Sequence, residues 1–376
     1  MAQYVPIEKI KYPRDTKDAG FMDLLTKLIE MSEALSYIDN LPIIPSHADE
    51  IRREERIRAI RGTTGIEGNT LDEDEIQEVL NRQGSESLNE IETVNSGKVH
   101  DFIMEYCAKN QRDRISEAVI KQIHALNTKS VPHPNNQPGQ YRNFEVNYGY
   151  PVKKTPLKTS PDIQDAMKGL MDWINDDESV TFPHQPWVIK GILTHYAISR
   201  IHPFAEGNGR TARATEALIF CHKANINDYC FYGVANYCYR HRNEYIGELS
   251  KVDISGDATS FLLFCVTGFQ ESINYVKYRI TKIISELIFM DYVYDLKRSS
   301  KMSKKAVEVL ETIVKMKEIP LSDYYKIFFT DRTGESKRQY LKKYETYKLI
   351  KTYTKEDKGT FIAPNLDVLK SLRRIV

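Results

Sequence analysis

One short stretch of the chain collects residue types that can bind phosphate and move a proton. The stretch reads His202-Pro203-Phe204-Ala205-Glu206-Gly207-Asn208-Gly209-Arg210-Thr211-Ala212-Arg213 and separates two segments with helical apolar spacing. Gly207, Asn208 and Gly209 suit a backbone with positive φ, and Thr211 begins the helix that follows. Backbone N–H groups at such a helix start can converge on an anion. The stretch therefore predicts a phosphate-binding loop.

The charged side chains of this loop add further chemistry. Arg210 and Arg213 are three residues apart, so they share one helical turn and can both bond a polyphosphate chain. Glu206 offers a carboxylate oxygen for Mg²⁺ beside those phosphates. A neutral imidazole at His202 could accept the proton of an attacking hydroxyl. Two other interpretations stay open, because Gly-Asn-Gly alone indicates only a turn and His202 with Glu206 could be half of a metal site.

Taken together, the pattern resembles the HxFx(D/E)GNGRxxR motif of Fic-domain proteins. The resemblance implies a nucleotidyltransferase that uses ATP and Mg²⁺ to move AMP onto a Ser, Thr or Tyr hydroxyl of a target protein, with release of pyrophosphate. Glu206 stands where Asp is commoner in the family, and both are carboxylates. The resemblance implies that His202 is the general base and that Glu206 binds Mg²⁺. It implies that Gly207, Asn208 and Gly209 hold the α and β phosphates. Arg210 would contact the phosphate chain, and Arg213 would bind the γ phosphate.

A second motif lies upstream, in Thr63-Thr64-Gly65-Ile66-Glu67-Gly68. Read by itself, the segment is a helix end, with a turn at Gly68 and an acidic start to the next helix. Its Thr63, Glu67 and Gly68 also resemble the (S/T)xxxE(G/N) inhibitory motif of Fic proteins. This second resemblance implies that Glu67 pairs with Arg213 in the place of the γ phosphate, so the enzyme is self-inhibited.

Further segments are similar to parts of the same family. Pro138 to Arg142, followed by a predicted β-hairpin, resembles the lead-in to a flap, and residues 146–157 would dock the target protein by strand addition. The stretch Arg240 to Tyr245 resembles a later helix that closes the adenine pocket. It makes Tyr237, Tyr245 and Asp253 candidate adenine-pocket residues. His124 and His195 are interpreted as structural histidines.

Helices must position these residues, because apolar residues recur at helical spacing along most of the chain. The spacing predicts helices over 21–39, 48–61, 88–107, 115–126, 161–174, 186–200 and 210–224, and over 258–296 as one helix or as two meeting at Gly268. The best strand signal is the hairpin of residues 141–148 with 152–157. The predicted fold class is mostly α: a Fic-type helical core with a small β-hairpin flap, and a carboxy-terminal winged helix.

The charge distribution predicts the domain organisation. Residues 297–376 carry 20 Lys and Arg against 10 Asp and Glu, whereas residues 1–296 carry 33 against 42. We expect an amino-terminal helical region with the inhibitory motif over 1–95, the Fic catalytic core over 96–296, and a winged-helix domain over 297–376. Helices at 303–316, 321–328 and 335–346 and two strands around residues 355–359 make the winged-helix pattern.

The third helix of that tail carries a cluster of cations. The cluster consists of Lys337, Arg338, Lys342 and Lys343. Such a helix can meet a nucleic-acid backbone, or it can be a solvated charged face that docks a protein. An alternative function is therefore a nucleotide-sensing winged-helix regulator that binds DNA. A third alternative keeps the enzyme but has it transfer another phosphate-bearing group or remove AMP.

Composition excludes several protein classes. Hydrophobic residues make up 41% and charged residues 28% of the 376 residues, values that argue against disordered, collagenous and disulfide-scaffold proteins. No apolar run reaches the roughly 18 residues of a membrane span. The first fifteen residues show no basic-then-apolar secretory signal, and the five cysteines form no CxxC pair. We expect a reduced, cytoplasmic protein, and a homodimer is left open.

Overall fold

A computed structural model describes residues 4–82, 87–110, 113–148, 153–224, 233–328, 334–356 and 358–367. The chain divides into two compact units, Met1–Lys277 and Tyr278–Val376. The first unit contains the predicted phosphate-binding loop and the predicted inhibitory motif. Each unit is described by itself below.

Helices build the first unit, as the sequence predicted. A short 3-10 helix at Ile7–Lys9 precedes α1 (Phe21–Asp39), α2 (Pro45–Ile66), α3 (Glu73–Asn81), α4 (Leu88–Lys109), α5 (Glu117–Thr128), α6 (Ser160–Asn175), α7 (Pro186–Ile201), α8 (Asn208–His222), α9 (Gly233–Arg240), α10 (Arg242–Ser255) and α11 (Thr259–Arg298). The part of α11 from Tyr278 onward belongs to the second unit. The segment from 258 onward is one helix rather than two meeting at Gly268. The mostly helical fold class is confirmed.

Local sequence explains where several of these helices begin. Asp72 with Glu75, and Ser87 with Glu90, each form a capping box in which side chains and backbone N–H groups of the first turn bond reciprocally. Thr159 caps α6 through the Asp162 N–H. These caps satisfy N–H groups that have no partner inside the helix.

Two helices at the centre of the unit hold the predicted loop. Nearly every residue of α7 and α8 is buried, charged ones included. They approach closely at Gly191, where a Cβ atom would lie 2.6 Å from the Phe220 ring. Phe220 in turn stacks on Phe269, with ring centroids 4.8 Å apart. Because both flanking helices are fixed by packing, the loop between them is a rigid platform.

Helix α2 packs on α9 through two glycines. A Cβ at Gly62 would lie 2.5 Å from the backbone nitrogen of Asn236, and one at Gly65 would lie 2.5 Å from the Tyr239 ring. The helix also runs to Ile66, five residues beyond the predicted end at 61, so Thr63 lies in its last turn and Glu67 caps it. The glycines thus bring the end of α2 close to the rest of the unit.

The predicted hairpin is present but shorter than expected. Strands β1 (Asn147–Tyr148) and β2 (Lys153–Lys154) pair antiparallel. One further backbone hydrogen bond, from Thr155 N to Val146 O at 3.0 Å, extends the pairing beyond the strands. Residues 149–152 at its tip lie outside the described residues.

The second unit contains the helices and strands predicted for the tail. They are α12 (Lys304–Met316), β3 (Ile319–Pro320), α13 (Leu321–Phe328), α14 (Gly334–Thr346), β4 (Ile350–Lys355) and β5 (Gly359–Pro364). The strands form an antiparallel sheet in the order β3-β5-β4, and β3 was not predicted. The sequence Thr330-Asp331-Arg332-Thr333-Gly334 predicts a turn before α14, and residues 330–333 of it lie outside the described residues. The winged-helix assignment stays a prediction.

The core of this second unit begins inside α11. Phe289, Val293 and Leu296 pack in one buried cluster with Leu310 and Tyr344. These α11 residues precede position 297, the charge-based boundary, and the compact unit starts at Tyr278. The predicted domain limits themselves stay a prediction. Among the described residues, no helix is both long and apolar enough to cross a membrane.

The close contact of α2 with α9 generates a stability prediction. We expect Gly62→Ala to destabilise the first unit, because the overlap costs about 1–3 kcal/mol and opposes the gain of about 1 kcal/mol in helix propensity. Gly169→Ala is the matched control, because a Cβ there, in α6, meets no atom within 4 Å. In thermal unfolding we expect a lower midpoint for Gly62→Ala and an unchanged or higher one for Gly169→Ala. Equal midpoints in the two variants would contradict the close packing.

Candidate active site

The loop before α8 is held by its own side chains and by one glycine. The Asn208 amide oxygen accepts from Phe204 N at 2.9 Å, and its amide nitrogen donates to Phe204 O at 2.8 Å. Gly207 has φ of 75°, and a Cβ there would lie 2.5 Å from the Thr128 methyl. Asn208 and Gly209 are already helical, so of the three residues expected to suit positive φ only Gly207 uses it. The helix begins at Asn208, three residues before the predicted start at Thr211.

The buried side chain of His124 packs against the loop and bonds to its backbone. The ring of His124 stacks on Phe204 with centroids 3.6 Å apart. Its Nδ1 accepts from Gly139 N at 2.8 Å, so its Nε2–H donates to the carbonyl oxygen of Glu206 at 2.9 Å. Burial lowers the pKa of His124 to about 4. This neutral imidazole is structural, as the sequence indicated.

The α8 amino terminus offers backbone donors toward a cavity. Thr211 N makes the first intrahelical bond, to Gly207 O at 3.0 Å. The N–H groups of the three preceding residues therefore lack an intrahelical partner, and the helix dipole favours an anion in front of them. These N–H groups belong to Asn208, Gly209 and Arg210, and the phosphate cradle at Gly207, Asn208 and Gly209 stays a prediction.

His202 follows the last residue of α7 and lines the same cavity. Its left-handed backbone, with φ of 51°, turns the chain into the loop. Its Nδ1 lies 3.2 Å from the carbonyl oxygen of Ser199, which can only accept, so the remaining nitrogen, Nε2, carries the lone pair. Burial lowers the pKa of His202 to about 4, and the bond to Ser199 offsets this only in part. The imidazole is neutral at physiological pH and can accept a proton.

Arg142 connects the start of the hairpin to the loop of residues 202–207, which is the predicted catalytic loop. Its side chain is buried and donates to the carbonyl oxygens of His202 at 2.7 Å and of Phe144 at 2.5 Å. Its own backbone N–H donates to Pro203 O at 3.0 Å. Burial lowers the pKa of Arg142 to about 10, which still leaves it charged. The guanidinium therefore fixes the hairpin's first residues to the backbone that carries the predicted base.

Arg213 is a buried cation of the cavity, and it is paired with the predicted inhibitory motif. Its NH2 atom donates to a carboxylate oxygen of Glu67 at 2.6 Å and to Thr63 O at 2.9 Å, and its Nε donates to the Thr63 hydroxyl at 3.0 Å. Burial alone raises the pKa of Glu67, but the charge and hydrogen bond of Arg213 outweigh burial, so the pKa lies below its usual value. Gly209 makes room for the pair, because a Cβ there would lie 2.4 Å from the same Glu67 oxygen.

Arg210 is buried beside the loop between two carboxylates. It donates to Glu92 at 2.9 Å and to Glu206 at 3.3 Å. Its predicted contact with the phosphate chain stays a prediction, and in the structure its guanidinium orients Glu206 instead. Asn69, just after the inhibitory motif, reaches the other oxygen of Glu92 at 3.5 Å. A line of polar contacts thus runs from the end of α2 to the predicted metal ligand.

Glu206 fits the role of a metal ligand shared with a nucleotide. Its carboxylate is 38% exposed, and Arg210 holds one of its oxygens. Hard carboxylate oxygens suit Mg²⁺, which in nucleotide sites takes one or two carboxylates and completes its shell with phosphates and water. Within the described part of the chain, no three His, Cys, Asp or Glu side chains form a cluster that could hold a metal ion. The chemistry of the donor set therefore fits an ion that is bound together with phosphate.

A cavity of about 730 Å³ is lined by several of the predicted site residues, whereas Glu206, Gly207, Asn208 and Arg210 are not part of its lining. Its walls include Glu67, His202, Gly209, Arg213, Tyr245 and Asp253. Tyr237 is different, because its ring packs against Phe264 at 5.0 Å and lies where a Cβ of Gly268 would be. Tyr237 does not line this cavity, and its predicted role in the adenine pocket stays a prediction.

Sequence reasoning missed several residues that line the cavity. Arg200 lies 3.3 Å from Asp253, and the Tyr196 hydroxyl donates to the same carboxylate at 3.1 Å. Arg242 donates to the carbonyl oxygen of Ile66, the last residue of α2, at 2.8 Å. The sequence contains one signal for these residues: Arg200 is a charged residue near the end of the apolar helix α7, two positions before His202. Tyr196 and Arg242 gave no such signal.

Comparison with known proteins agrees with this geometry. Residues 114–220 match the profile of the Fic/DOC family. This part of the chain is therefore similar to a Fic domain. The profile covers the hairpin, α7, the catalytic loop and most of α8, but it stops before Tyr245 and Asp253 and begins after Glu67.

Relatives of the Fic domain are found among curated sequences and solved structures. "Protein adenylyltransferase Fic" of Drosophila willistoni is 29% identical over 163 residues, or 43% of this chain and 31% of that protein. "Protein adenylyltransferase fic-1" of Caenorhabditis elegans is 27% identical over 184 residues, 46% of this chain and 34% of that one. The chain thus spans about a third of the length of these relatives.

The structural comparison extends over more of the chain. A Fic family protein from Desulfovibrio desulfuricans G20 has a TM-score of 0.56 at 19% identity, covering 94% of this chain and 98% of that one. Fic-1 from C. elegans, residues 134 to 508, has a TM-score of 0.53 at 21% identity, covering 68% and 72%. At these identities the likeness shows a shared fold.

Proposed function

We propose that this chain is a self-inhibited protein adenylyltransferase, which transfers AMP from ATP to a Ser, Thr or Tyr hydroxyl of a target protein. One observation carries the proposal: a neutral histidine, a buried arginine and a helix amino terminus line a single cavity. Curated relatives of the Fic domain are named protein adenylyltransferases, which supports the same reaction.

In the proposed reaction His202 is the general base. Its Nε2 lone pair accepts the proton of the target hydroxyl while the hydroxyl oxygen attacks the α phosphorus of ATP. The bond from that phosphorus to the bridging oxygen breaks, and pyrophosphate leaves. The Ser199 carbonyl oxygen, 3.2 Å from Nδ1, keeps the imidazole in the required tautomer.

The remaining residues bind and orient the nucleotide. The backbone at Gly207, Asn208 and Gly209 would hold the α and β phosphates, and Arg213 would hold the γ phosphate. Arg210 would act mainly by orienting Glu206, which would bind Mg²⁺. The ion, when bound, neutralises charge on the phosphates. Asp253 and Tyr245 stay candidate contacts to the rest of the nucleotide.

We further propose that the target docks on the hairpin. Residues 146–157 form an edge whose lead-in is fixed to the catalytic loop by Arg142. A target segment that adds as a strand would bring its hydroxyl toward His202 by backbone pairing. The sequence-based expectations of a cytoplasmic location and of a homodimer stay predictions.

Self-inhibition follows from the partner of Arg213. A buried guanidinium needs an anion, and Glu67 already supplies one at 2.6 Å. The γ phosphate would have to displace this carboxylate, so with Glu67 in place ATP binds poorly or in an unreactive pose. Transfer of another phosphate-bearing group, or removal of AMP, remains the alternative chemistry for the same site. Mass spectrometry of the products formed with ATP and Mg²⁺ separates these reactions.

Removal of Glu67 should activate the enzyme. We expect Glu67→Gly to raise AMP transfer from α-labelled ATP at least about tenfold, equivalent to about 1.4 kcal/mol, because Arg213 becomes available to the γ phosphate. Adding Arg213→Ala should cancel the gain, and Glu67→Gln, which removes only the charge, should give a smaller gain. If Glu67→Gly is folded, binds ATP and transfers AMP no faster than the wild type, the motif is only a helix cap.

Replacing His202 should stop AMP transfer while ATP still binds. In the Glu67→Gly background, we expect His202→Ala to reduce AMP transfer by at least about a hundredfold and to leave ATP affinity within about threefold, because backbone and arginine contacts do the binding. His47→Ala is the control, since His47 pairs with Glu50 on α2 and does not line the cavity. If His202→Ala transfers AMP as fast as His47→Ala, His202 is not the general base.

A second candidate activity belongs to the basic tail. Arg338, Lys342 and Lys343 are exposed on α14, and Lys337 belongs to the same helix, although its side chain lies outside the described residues. Exposed cations on one helix favour contact with a phosphate backbone. We propose duplex DNA as the partner, with protein docking as the outcome to expect if DNA does not bind.

The tail proposal is tested by salt-dependent binding of the full chain to duplex DNA. Changing Arg338, Lys342 and Lys343 together to Ala should weaken binding at least about tenfold and reduce the salt dependence, since each phosphate contact contributes to the slope. The control removes three exposed lysines of the first unit, Lys9, Lys98 and Lys168, and so loses the same charge. Equal effects in both triple variants would indicate a non-specific attraction, and absence of binding at low salt would favour protein docking.

A further inference from the structure

Glu206, the proposed metal ligand, is held by an arginine that is itself held from inside the first unit. The Glu206 carboxylate is 38% exposed, and its Oε1 accepts from the NH2 atom of Arg210 at 3.3 Å. The NH1 atom of the same guanidinium donates to Glu92 Oε1 at 2.9 Å. Glu92 lies on α4 and is 9% exposed. None of the roles assigned above uses Glu92.

The guanidinium connects the two carboxylates through its planar shape. NH1 and NH2 belong to one rigid fork, so the bond from NH1 to Glu92 also sets the direction in which NH2 points. Arg210 is only 2% exposed and belongs to the first turn of α8. Helices α4 and α8 thus fix the guanidinium, and Glu206 is the exposed partner of the three.

An exposed glutamate has to be ordered before it can bind a metal ion. Its side chain has several rotamers in water, and fixing one of them costs free energy. The bond from Arg210 holds one oxygen of Glu206 in place. Partners that orient a metal ligand in this way raise its affinity for the ion. The partner can do so only while its own position is fixed, and Glu92 fixes it.

Glu92 also balances the charge of Arg210. A buried guanidinium stays protonated and needs an anion. Glu92 is the nearer of its two carboxylates, at 2.9 Å against 3.3 Å for Glu206. Burial raises the pKa of Glu92, and the charge of Arg210 opposes this rise. If Glu92 lost its charge, Glu206 would become the charged partner of Arg210, and the ion pair would compete with Mg²⁺ for the same carboxylate.

We infer that Glu92 is a positioning residue that holds Arg210 so that Glu206 can bind Mg²⁺. The inference rests on the proposed function, in which Glu206 is the metal ligand. It assigns the effect of Glu92 to the metal and not to the nucleotide itself. A Glu92 that only stabilised the fold would affect nucleotide binding equally with and without Mg²⁺.

The test measures the affinity of the full chain for ATP in the presence of Mg²⁺ and in the presence of a chelator. The ratio of the two affinities is called the magnesium gain, and by linkage it also gives the factor by which protein binding strengthens the hold of ATP on Mg²⁺. Glu67→Gly combined with His202→Ala serves as the parent, because it frees Arg213 and prevents transfer. We expect Glu92→Gln to lower the magnesium gain by about fivefold or more, with the affinity in chelator within about twofold of the parent.

Glu55→Gln is the matched control. Glu55 is also 9% exposed and pairs with an arginine at 2.5 Å, but that arginine is Arg58 on α2 and not a residue next to Glu206. We expect Glu55→Gln to leave the magnesium gain unchanged. ATP binding in chelator and the thermal midpoint show whether each variant is folded. If Glu92→Gln does not fold, Glu92→Asp, which keeps the charge but shortens the side chain, should lower the gain to a smaller extent.

A second parent shows whether the effect passes through Glu206. It carries Glu206→Ala in addition, which should itself lower the magnesium gain. In this parent we expect Glu92→Gln to lower the gain no further, because the carboxylate that Arg210 orients is absent.

The possible outcomes separate the inference from the proposed function. If Glu206→Ala lowers the magnesium gain but Glu92→Gln keeps it, or weakens ATP binding equally with and without Mg²⁺, the positioning role of Glu92 is wrong while the proposed function stands. A further decrease by Glu92→Gln in the second parent would also contradict that role. If Glu206→Ala leaves the gain unchanged, Glu206 is not the metal ligand, and the inference is overturned together with that part of the proposed function.

Discussion

The ion pair between Arg213 and Glu67 is the contact on which the arrangement of the first unit depends. A guanidinium that is 4% exposed cannot lose its proton and needs an acceptor in every state of the protein. The close approach of α2 to α9 at Gly62, and the missing side chain at Gly209, both serve to bring the carboxylate within 2.6 Å. Gly62 on α2 and Gly209 on α8 thus both allow the same ion pair to form.

The same site separates groups that carry charge from groups that remain neutral. Burial disfavours the charged forms of His124 and His202 and lowers the pKa of each to about 4. One supports the loop through hydrogen bonds and stacking, and the other is open to the cavity. What distinguishes the two is thus their access to the cavity and not their pKa, since neutral imidazoles accept a proton only where a donor can reach them.

Much of this architecture was predictable from the sequence, because helical periodicity and the loop motif are local signals. Most helices of the first unit, the hairpin and the ion pair of Glu67 with Arg213 were expected, whereas α9 was not. The environment of Arg210 was not, because Glu92 lies 118 positions earlier and no local pattern links the two. The sequence made Tyr237 and Tyr245 equally good candidates for the adenine pocket. The packing of α9 and α10 against α11 and α7 decided that only Tyr245 reaches the cavity.

The way Arg142 is anchored has a consequence for how such an enzyme can change its target. Its contacts with residues 144, 202 and 203 all end on backbone carbonyl oxygens. Carbonyl oxygens are present whatever the side chains are, so substitutions along the exposed hairpin do not disturb the link to the base. If the target docks on the hairpin as proposed, the hairpin sequence can diverge to suit a new target protein while the position of His202 stays the same.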